Sequence, residues 1–450
     1  MATFNKQGLF APGTYDIEKI YLKDRKIDIR FKVIETNVYE SIFQPCMTAD
    51  VTLIDVENMV ANFPIIEGNI VQIEFKPNEK DPVQMTIDKD NKLECEMEII
   101  KITSRTKSSS QDLQTYTLRL ASCGWSNNVR DRVSRAYTKK KYSEIATDIF
   151  NSKFRNESID GLSGDLKFKK GLITEETYGE YSVVIPRWKP ITCFNWLAGR
   201  SQSKRNKDAV NYLFWEDKED YHFESIENMV RKPASAKYYI KLQNIELHDE
   251  RNYFNISSYS YEDTGDILLY ANNGTLGSRL ITHDIVSKQV TDHSTQGFYS
   301  LDYNVTQKAF DYCDEFKKVK HVDYDGIPLV TESVSKTLSS EPGNTRLFVH
   351  GKHSYAFDGI KDDKCEEWIR QRTMQKPMLK YVRLTVETVG NFARKAGDVI
   401  HIELPSPEVQ KGLEDRRLSG NYLITTIRHI FKPSKHDIVM ECIKDSYVGE

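Results

Sequence analysis

Apolar residues fall at every second position through both ends of this 450-residue chain. Alternation of that period buries one face only as a strand, so each end reads as sheet with one dry face and one wet face. Over residues 26–75 strand follows strand. IDIRFKVIE alternates from Ile27 to Ile34 as a single strand, SIFQPCMTADVTLIDVENMV carries Val51, Leu53 and Ile54, and NIVQIEFK repeats the period at Ile70, Val71, Ile73 and Phe75. FPIIEG is an apolar shoulder ending in a turn, and the charged stretch 76–92 reads as a long hairpin arm or loop. LECEMEIIKITSRT and DLQTYTLRLAS add two more strands, so residues from about 26 to 123 form one antiparallel barrel or sandwich.

The period changes after Trp125. KYSEIATDIFNSKF places Tyr142, Ile145, Ile149 and Phe150 at helical spacing, with Ser143 as the cap and Glu144 in the first turn. PITCFNWLAGRSQS starts a second helix near Pro190. YLFWEDKEDYHFESIENMV then reads as apolar strand, acidic turn and aromatic strand, and YYIKLQNIELH as a further strand from Tyr238. Helical patterns return in NVTQKAFDYCDEFKKVKH and CEEWIRQRTMQKPML, where Pro377 belongs to the last turn or just beyond it. The tail is strands again: YVRLTVETVGN, AGDVIHIELP, SGNYLITTIRHIF and HDIVMECIKDSYV. The chain is therefore mainly β with an α+β middle region. No internal repeat shows as identity, although the two β ends share a character. A mean hydropathy of -0.56 suits strands with one wet face.

Composition narrows the chemistry. Lys and Arg total 63 against 66 Asp and Glu, a net charge of -3, so the molecule as a whole is not built to bind a polyanion. Seven Cys without a CxxC pair give neither a disulfide scaffold nor a local zinc site, and a reducing compartment is the simpler setting. No apolar run approaches 18 residues, so no membrane-spanning helix is expected. Phosphate-loop, dinucleotide, zincin and nucleophile-elbow signatures are absent. The histidines, His283, His350, His353 and His429 among them, form no cluster and read as structural or surface groups. Glu216, Asp217, Glu219, Asp220 and Glu224 resemble paired catalytic acids, but they surround a turn and read as a solvated tip, with an acidic contact knob as the functional alternative. Arg130, Arg132, Arg135, Lys139, Lys140 and Lys141, and again Arg200, Lys204, Arg205 and Lys207, form basic patches that read as contact or lining surfaces. No cofactor, metal or catalytic residue is expected. Long alternating strands with open edges suggest instead a protein that covers those edges with neighbours.

Four segments in order resemble the central baseplate hub proteins of contractile-tailed bacteriophages, related to the head of spike proteins in type VI and other contractile injection systems. They are FKVIETNVYESIFQPCMTADVTLIDVENMVANFPIIEGNIVQIEF; YLFWEDKEDYHFESIENMV; LGSRLITHDIVSKQ; and the run from RQRTMQKPMLKYVRLTVETVGN through AGDVIHIELP to DRRLSGNYLITTIRHIF. The match is poorest over 76–92, 155–180 and 320–345. The resemblance implies two tube-like antiparallel β-barrel domains joined by mixed α/β segments. The first is 1–125, and the second is discontinuous, built from 236–265 and 370–450. The middle domain comprises 126–235 and 266–369. It further implies a non-enzymatic homotrimer whose six barrels adapt a hexameric tail tube to a trimeric spike, within a virion baseplate assembled in the host cytoplasm. No OB-fold, repetitive β-helix or lysozyme segment follows the second barrel, so the spike is expected to be a separate polypeptide. Further partners implied are the tail tube protein, surrounding baseplate or wedge proteins and, transiently, DNA passing the channel. Family-guided interface candidates are Asn37, Tyr39, Glu40 and Phe43 at one end and Arg416, Arg417, Asn421 and Tyr422 at the other. The same fold in a bacterial injection system is one alternative, and a tail-associated peptidoglycan hydrolase another.

Overall fold

The structure, a computed structural model, describes residues 12–444 apart from 24–25, 63–64, 80, 89–90, 108–112, 155–169, 207–208, 241–249, 264–277, 285–287, 293–343, 350–364, short breaks within 366–381, 407–414, 416–417 and 434. The N-terminal half supplies β1 (Tyr15–Leu22), β2 (Ile27–Asp28), β3 (Val33–Ser41), β4 (Thr48–Asp55), β5 (Ile70–Pro77), β6 (Leu93–Lys107) and β7 (Gln114–Ser122). The middle supplies β8 (Val133–Lys140), β9 (Leu172–Thr174), β10 (Tyr181–Trp188), β11 (Tyr212–Glu216) and β12 (Tyr221–Ser225). Next come β13 (Lys237–Tyr239), β14 (Ile256–Asp263), β15 (Ser278–Asp284), β16 (Gln289–Asp292) and β17 (Asn344–Val349). The tail holds β18 (Val382–Val389), β19 (Val399–Glu403), β20 (Gly420–Lys432) and β21 (Lys435–Lys444).

Thirteen of these strands form one sheet in the order β14-β18-β21-β20-β3-β4-β7-β6-β5-β1-β2, with β19 on β20 and β13 on β19. The mainly β reading is correct, and the N-terminal and C-terminal groups of strands lie in this one sheet. Alternation decides the faces: along β4, Ala49, Val51 and Leu53 are buried and Asp50 and Thr52 are not, and along β18, Val382, Leu384 and Val386 are buried. Each aliphatic side chain withdrawn from water in this way contributes about 1.5–3 kcal/mol. The dry face gathers into two cores. One contains Ile20, Val51, Ile73, Met97 and Leu118, the other Leu384, Val399, Ile427 and Met440. They interlock, because Phe392 and Phe431 enter the first and Ile42 the second. Phe431 stacks on Phe75 at 3.9 Å between ring centroids.

The two halves repeat each other in register, which the amino-acid identities conceal. The β20–β21 hairpin pairs Ile424 with Cys442, skips a residue, and resumes at Thr426 with Glu441. The β6–β7 hairpin pairs Ile99 with Leu120, skips a residue, and resumes at Lys101 with Arg119. Before its bulge each long strand also pairs on its other side, Leu423 with Val399 of β19 and Glu98 with Ile70 of β5. Beyond the hairpins, Val386 lies opposite Met440 as Val51 lies opposite Leu118. Thus β3-β4-β7-β6 and β14-β18-β21-β20 are equivalent four-strand layers. They are joined side by side where Thr426 to Phe431 of β20 pair antiparallel with Ser41 to Thr36 of β3.

Several local expectations change. The 27–34 strand is broken by a 3-10 turn at Arg30–Lys32, because Asp28 accepts from the Arg30 backbone N–H at 3.0 Å and from its guanidinium, leaving Phe31 93% exposed. The 76–92 stretch is not simply a loop: Pro82–Asp88 is a helix, started by Asp81, whose carboxylate accepts from the N–H groups of Val83 and Gln84. The helix Tyr142–Ile149 is capped at Lys141 rather than Ser143. Glu144 reaches back to the Lys141 N–H at 3.3 Å, while Ser143 is buried and accepts from Thr177. Pro190–Ala198 is the second expected helix, with proline in its first turn. Cys365, Trp368, Ile369, Arg372, Thr373 and Lys376 are helical, as the pattern requires. The strand from Tyr238 is seen only over Lys237–Tyr239, and the helix expected at 304–321 lies outside the described residues.

Candidate functional site

The seam between β3 and β20 is where two equivalent layers meet, and it gathers a set of buried titratable groups. Glu40 on β3 is fully buried, its Oε2 accepting from the Ala396 N–H at 3.3 Å while Oε1 has no hydrogen-bond partner. Burial, then the nearby Asp217 charge, push this carboxyl up to about 8, against the opposing pull of Lys218. On the same face of β20, His429 Nδ1 is 3.1 Å from His436 Nε2 of β21. Burial, helped by Lys218, pushes His429 down to about 3 and holds His436 well below the ordinary imidazole range. Both rings are therefore neutral, and they pack as aromatic core: His436 stacks on Phe431 at 4.3 Å.

The β11–β12 hairpin from the middle region pins this seam. The acidic turn expected to be a solvated tip is instead mostly buried, with Glu216 at 2%, Asp217 at 0% and Glu224 at 2% exposure. The reason is charge compensation from distant parts of the chain. Glu216 accepts from the Met47 N–H at 2.9 Å and from Lys170 Nζ at 2.8 Å. Lys170 also donates to the Asp217 carbonyl at 2.6 Å. Asp217 Oδ2 lies 2.8 Å from His222 Nε2 and 3.2 Å from Lys395 Nζ, and its Oδ1 accepts from the N–H groups of Glu219 and Asp220 at 2.7 Å. Burial works to raise the Asp217 carboxyl, but the His222 hydrogen bond and the charges of His222 and Lys395 outweigh it and hold it well below the carboxylate range. Burial likewise opposes charge on His222, yet Asp217 and Glu224 raise its pKa. Lys218 donates to the Phe392 carbonyl in the second half, and only Glu219, paired with Lys395 at 2.7 Å, keeps the exposure expected of a tip. The hairpin thus holds Met47 on one side and Phe392 and Lys395 on the other.

Of the interface candidates, Asn37, Tyr39 and Glu40 lie together along this seam. Asn37 accepts from Arg428 Nε at 3.0 Å, and the Arg428 guanidinium lies 5.7 Å from the Tyr39 ring. Glu40 and Tyr422 are fully buried within one chain, the Tyr422 hydroxyl donating to the Leu418 carbonyl at 2.5 Å. Asn421 Oδ1 is 2.8 Å from His401 Nδ1. Phe43 is 42% exposed, with Lys380 Nζ 4.1 Å from its ring. Arg416 and Arg417 lie outside the described residues. Sequence reasoning missed Lys170, Lys218 and Lys395, whose only signal was the need to balance a hairpin rich in both acid and aromatic residues.

Part of each basic patch is paired within the chain. Arg135 pairs with Asp148, Lys141 and Lys204 with Glu176, and Arg130 with Glu98, while Arg200 stacks over Trp196 at 4.1 Å. Burial pushes the thiols of Cys95, Cys123 and Cys193 up to about 12, far from the range of a nucleophilic cysteine. Among the described residues no group of three or more His, Cys, Asp or Glu is placed to hold a metal, and no helix is long and apolar enough to cross a membrane.

No family model matches the chain, and no curated protein does. Its fold is nevertheless shared with solved tail proteins. A tail protein from Neisseria meningitidis MC58 superimposes with a TM-score of 0.53 at 9% identity, over 97% of each chain. The 43 kDa tail protein of prophage MuSo2 from Shewanella oneidensis gives a TM-score of 0.50 at 9% identity, over 97% of this chain and 99% of that one. An E. coli component of the type VI secretion system covers 97% of this chain and 79% of its own at 8% identity, with a TM-score of 0.42. The chain therefore has a tail-protein fold along nearly its whole length.

Proposed function

We propose that this protein is the central hub of a contractile-tail baseplate, a non-enzymatic ring of three chains that adapts a hexameric tail tube to a trimeric spike. The observation that carries the reading is the pair of register-matched layers within one chain. Two equivalent modules per chain and three chains give six similar modules, which is the symmetry a hexameric tube requires of its terminator. The division of the chain into two β domains around a mixed middle fits the two interlocked cores. The buried ionic pin at the seam suits an adapter that must transmit force without its halves sliding. Surrounding baseplate proteins are the further expected partners, and the assembled location is the tail baseplate.

Sedimentation or mass measurement of the protein mixed with its spike and tube proteins should find three chains of 52.2 kDa each in the hub. A strictly monomeric chain in that mixture, or a ring of six chains, would overturn the reading. Phe43→Asp is an informative variant, because the ring is 42% exposed beside Lys380 and no core is disturbed by its loss. The expected result is an unchanged circular dichroism spectrum and melting temperature, with the sedimenting trimer weakened at least tenfold. A trimer of unchanged strength would remove Phe43 from the interface.

A further inference from the structure

The repeat leaves one half-joint open at each end of the eight-strand layer. In β20, the residues after the bulge pair with β3. The equivalent residues of β6, from Lys101 to Lys107, pair with β7 on one side, but β5 stops at Glu98 and nothing among the described residues takes the other side. At the far end β14, the equivalent of β3, pairs among the described residues only with β18, and Ser257 to Glu262 are exposed on both faces. Tyr259 and Tyr261 lie opposite the buried Val386 and Leu384, so they continue a core-facing row, yet they remain 41% and 57% exposed. The charges of the two open edges are opposite. Residues 100–107 carry Lys101, Arg105 and Lys107 and no acid, and β14 carries Glu262 and Asp263 and no cation.

We infer that β14 of one chain adds to the open edge of β6 in a second copy, reproducing between chains the β20–β3 joint found within one. This rests on the ring proposed above and specifies how it closes. The direction follows from the sheet: the eight strands from β14 to β6 are successively antiparallel, so their outer members point oppositely, and rotation about a ring axis brings them together antiparallel, as β20 meets β3. The register follows from the repeat. Tyr39 faces Thr48 on β4 and Arg428 on β20, and the corresponding positions are Glu262, facing Arg383 on β18, and Thr103 on β6. Glu262 is thereby set opposite Thr103 and beside Lys101, which makes no ion pair among the described residues. Tyr259 and Tyr261 turn toward the dry side, where Ile102 is only partly covered. A strand added there satisfies the backbone groups of both edges and buries two aromatic side chains.

The test is a chain carrying both Thr103→Cys and Glu262→Cys, oxidised or treated with a short bis-maleimide in the presence of spike and tube proteins. Within one chain the two sites are seven strand spacings apart, about 34 Å, so they cross-link only between copies. Covalent dimers and trimers are expected, absent from either single variant and from the wild type. Independently, Glu262→Lys should weaken the trimer about tenfold, and adding Lys101→Glu should restore it to within about threefold. A trimer that forms but neither cross-links nor responds to charge reversal would overturn this joint and leave the ring reading standing. Weakening without rescue would also overturn the direct pairing. Failure of the wild type to form any trimer with its partners would sink the ring and the joint together.

Discussion

Lys170→Met should destabilise the fold by about 3–5 kcal/mol, measured as a shift of the urea midpoint at constant slope. The Glu216 carboxylate has 2% of its side chain exposed, and Lys170 is its cationic partner at 2.8 Å. Burial alone would lower the Lys170 pKa, but Glu216 outweighs it, so the ammonium stays charged. Methionine keeps most of the volume and removes the charge, leaving a buried carboxylate with neutral donors such as the Met47 N–H but no cation beside it, and the Asp217 carbonyl without its donor. Adding Glu216→Gln should recover about half of the loss, because the amide oxygen can still accept from Met47 and no net charge remains buried. Both variants within about 1 kcal/mol of wild type would mean that water already solvates Glu216 and that the hairpin does not pin the first half.

Much of the architecture is readable from alternation alone, because a strand with one dry face leaves a period that survives divergence. The strands β4, β5 and β18 follow it. The losses have local causes. Phe31 continues the period of its neighbours, yet an Asp28 side-chain contact to the next turn breaks the strand there, and periodicity is blind to such a contact. The Asp-Pro start of Pro82–Asp88 is a helix signal, overridden in the reading by the charge around it. The seam was legible only in part. Asn37, Tyr39 and Glu40 were singled out, but the burial of Glu216 and Asp217 depends on Lys170 and Lys395, which lie tens to hundreds of residues away along the chain. The repeat was invisible because it is conserved as register and a bulge after Ile99 and Ile424, positions at which backbone geometry matters more than side-chain identity.

Glu40→Gln should stabilise the protein at neutral and alkaline pH, by about 3 kcal/mol at pH 7 and about 4–5 kcal/mol at pH 9, and have little effect near pH 5. The folded carboxyl titrates at about 8 against 4.5 in the unfolded chain, so between those values the native state holds a proton the unfolded state has released. Stability attributable to Glu40 is therefore complete below about 4.5 and falls as pH rises toward 8. His222 adds a slope of the same sign, since its raised pKa gives stability that is present below 6.5 and lost as pH climbs through the folded value. Glutamine removes only the Glu40 part and can still accept from the Ala396 N–H, so the difference between wild type and variant isolates that residue from His222. On the acid side, His429 and His436 resist protonation in the fold and Asp217 resists it as well, so stability falls as pH drops, first below about 6.5 and then through the carboxylate range. Neither effect touches Glu40, which is neutral there. Chemical denaturation from pH 5 to pH 9 should give wild-type and variant curves that nearly coincide at the acid end, diverge as pH rises toward 8, and run parallel above it. A variant less stable at every pH would mean that Glu40 is ionised and serves Lys218 as its counter-ion, and the seam would then be held by a buried ion pair instead of a protonated acid.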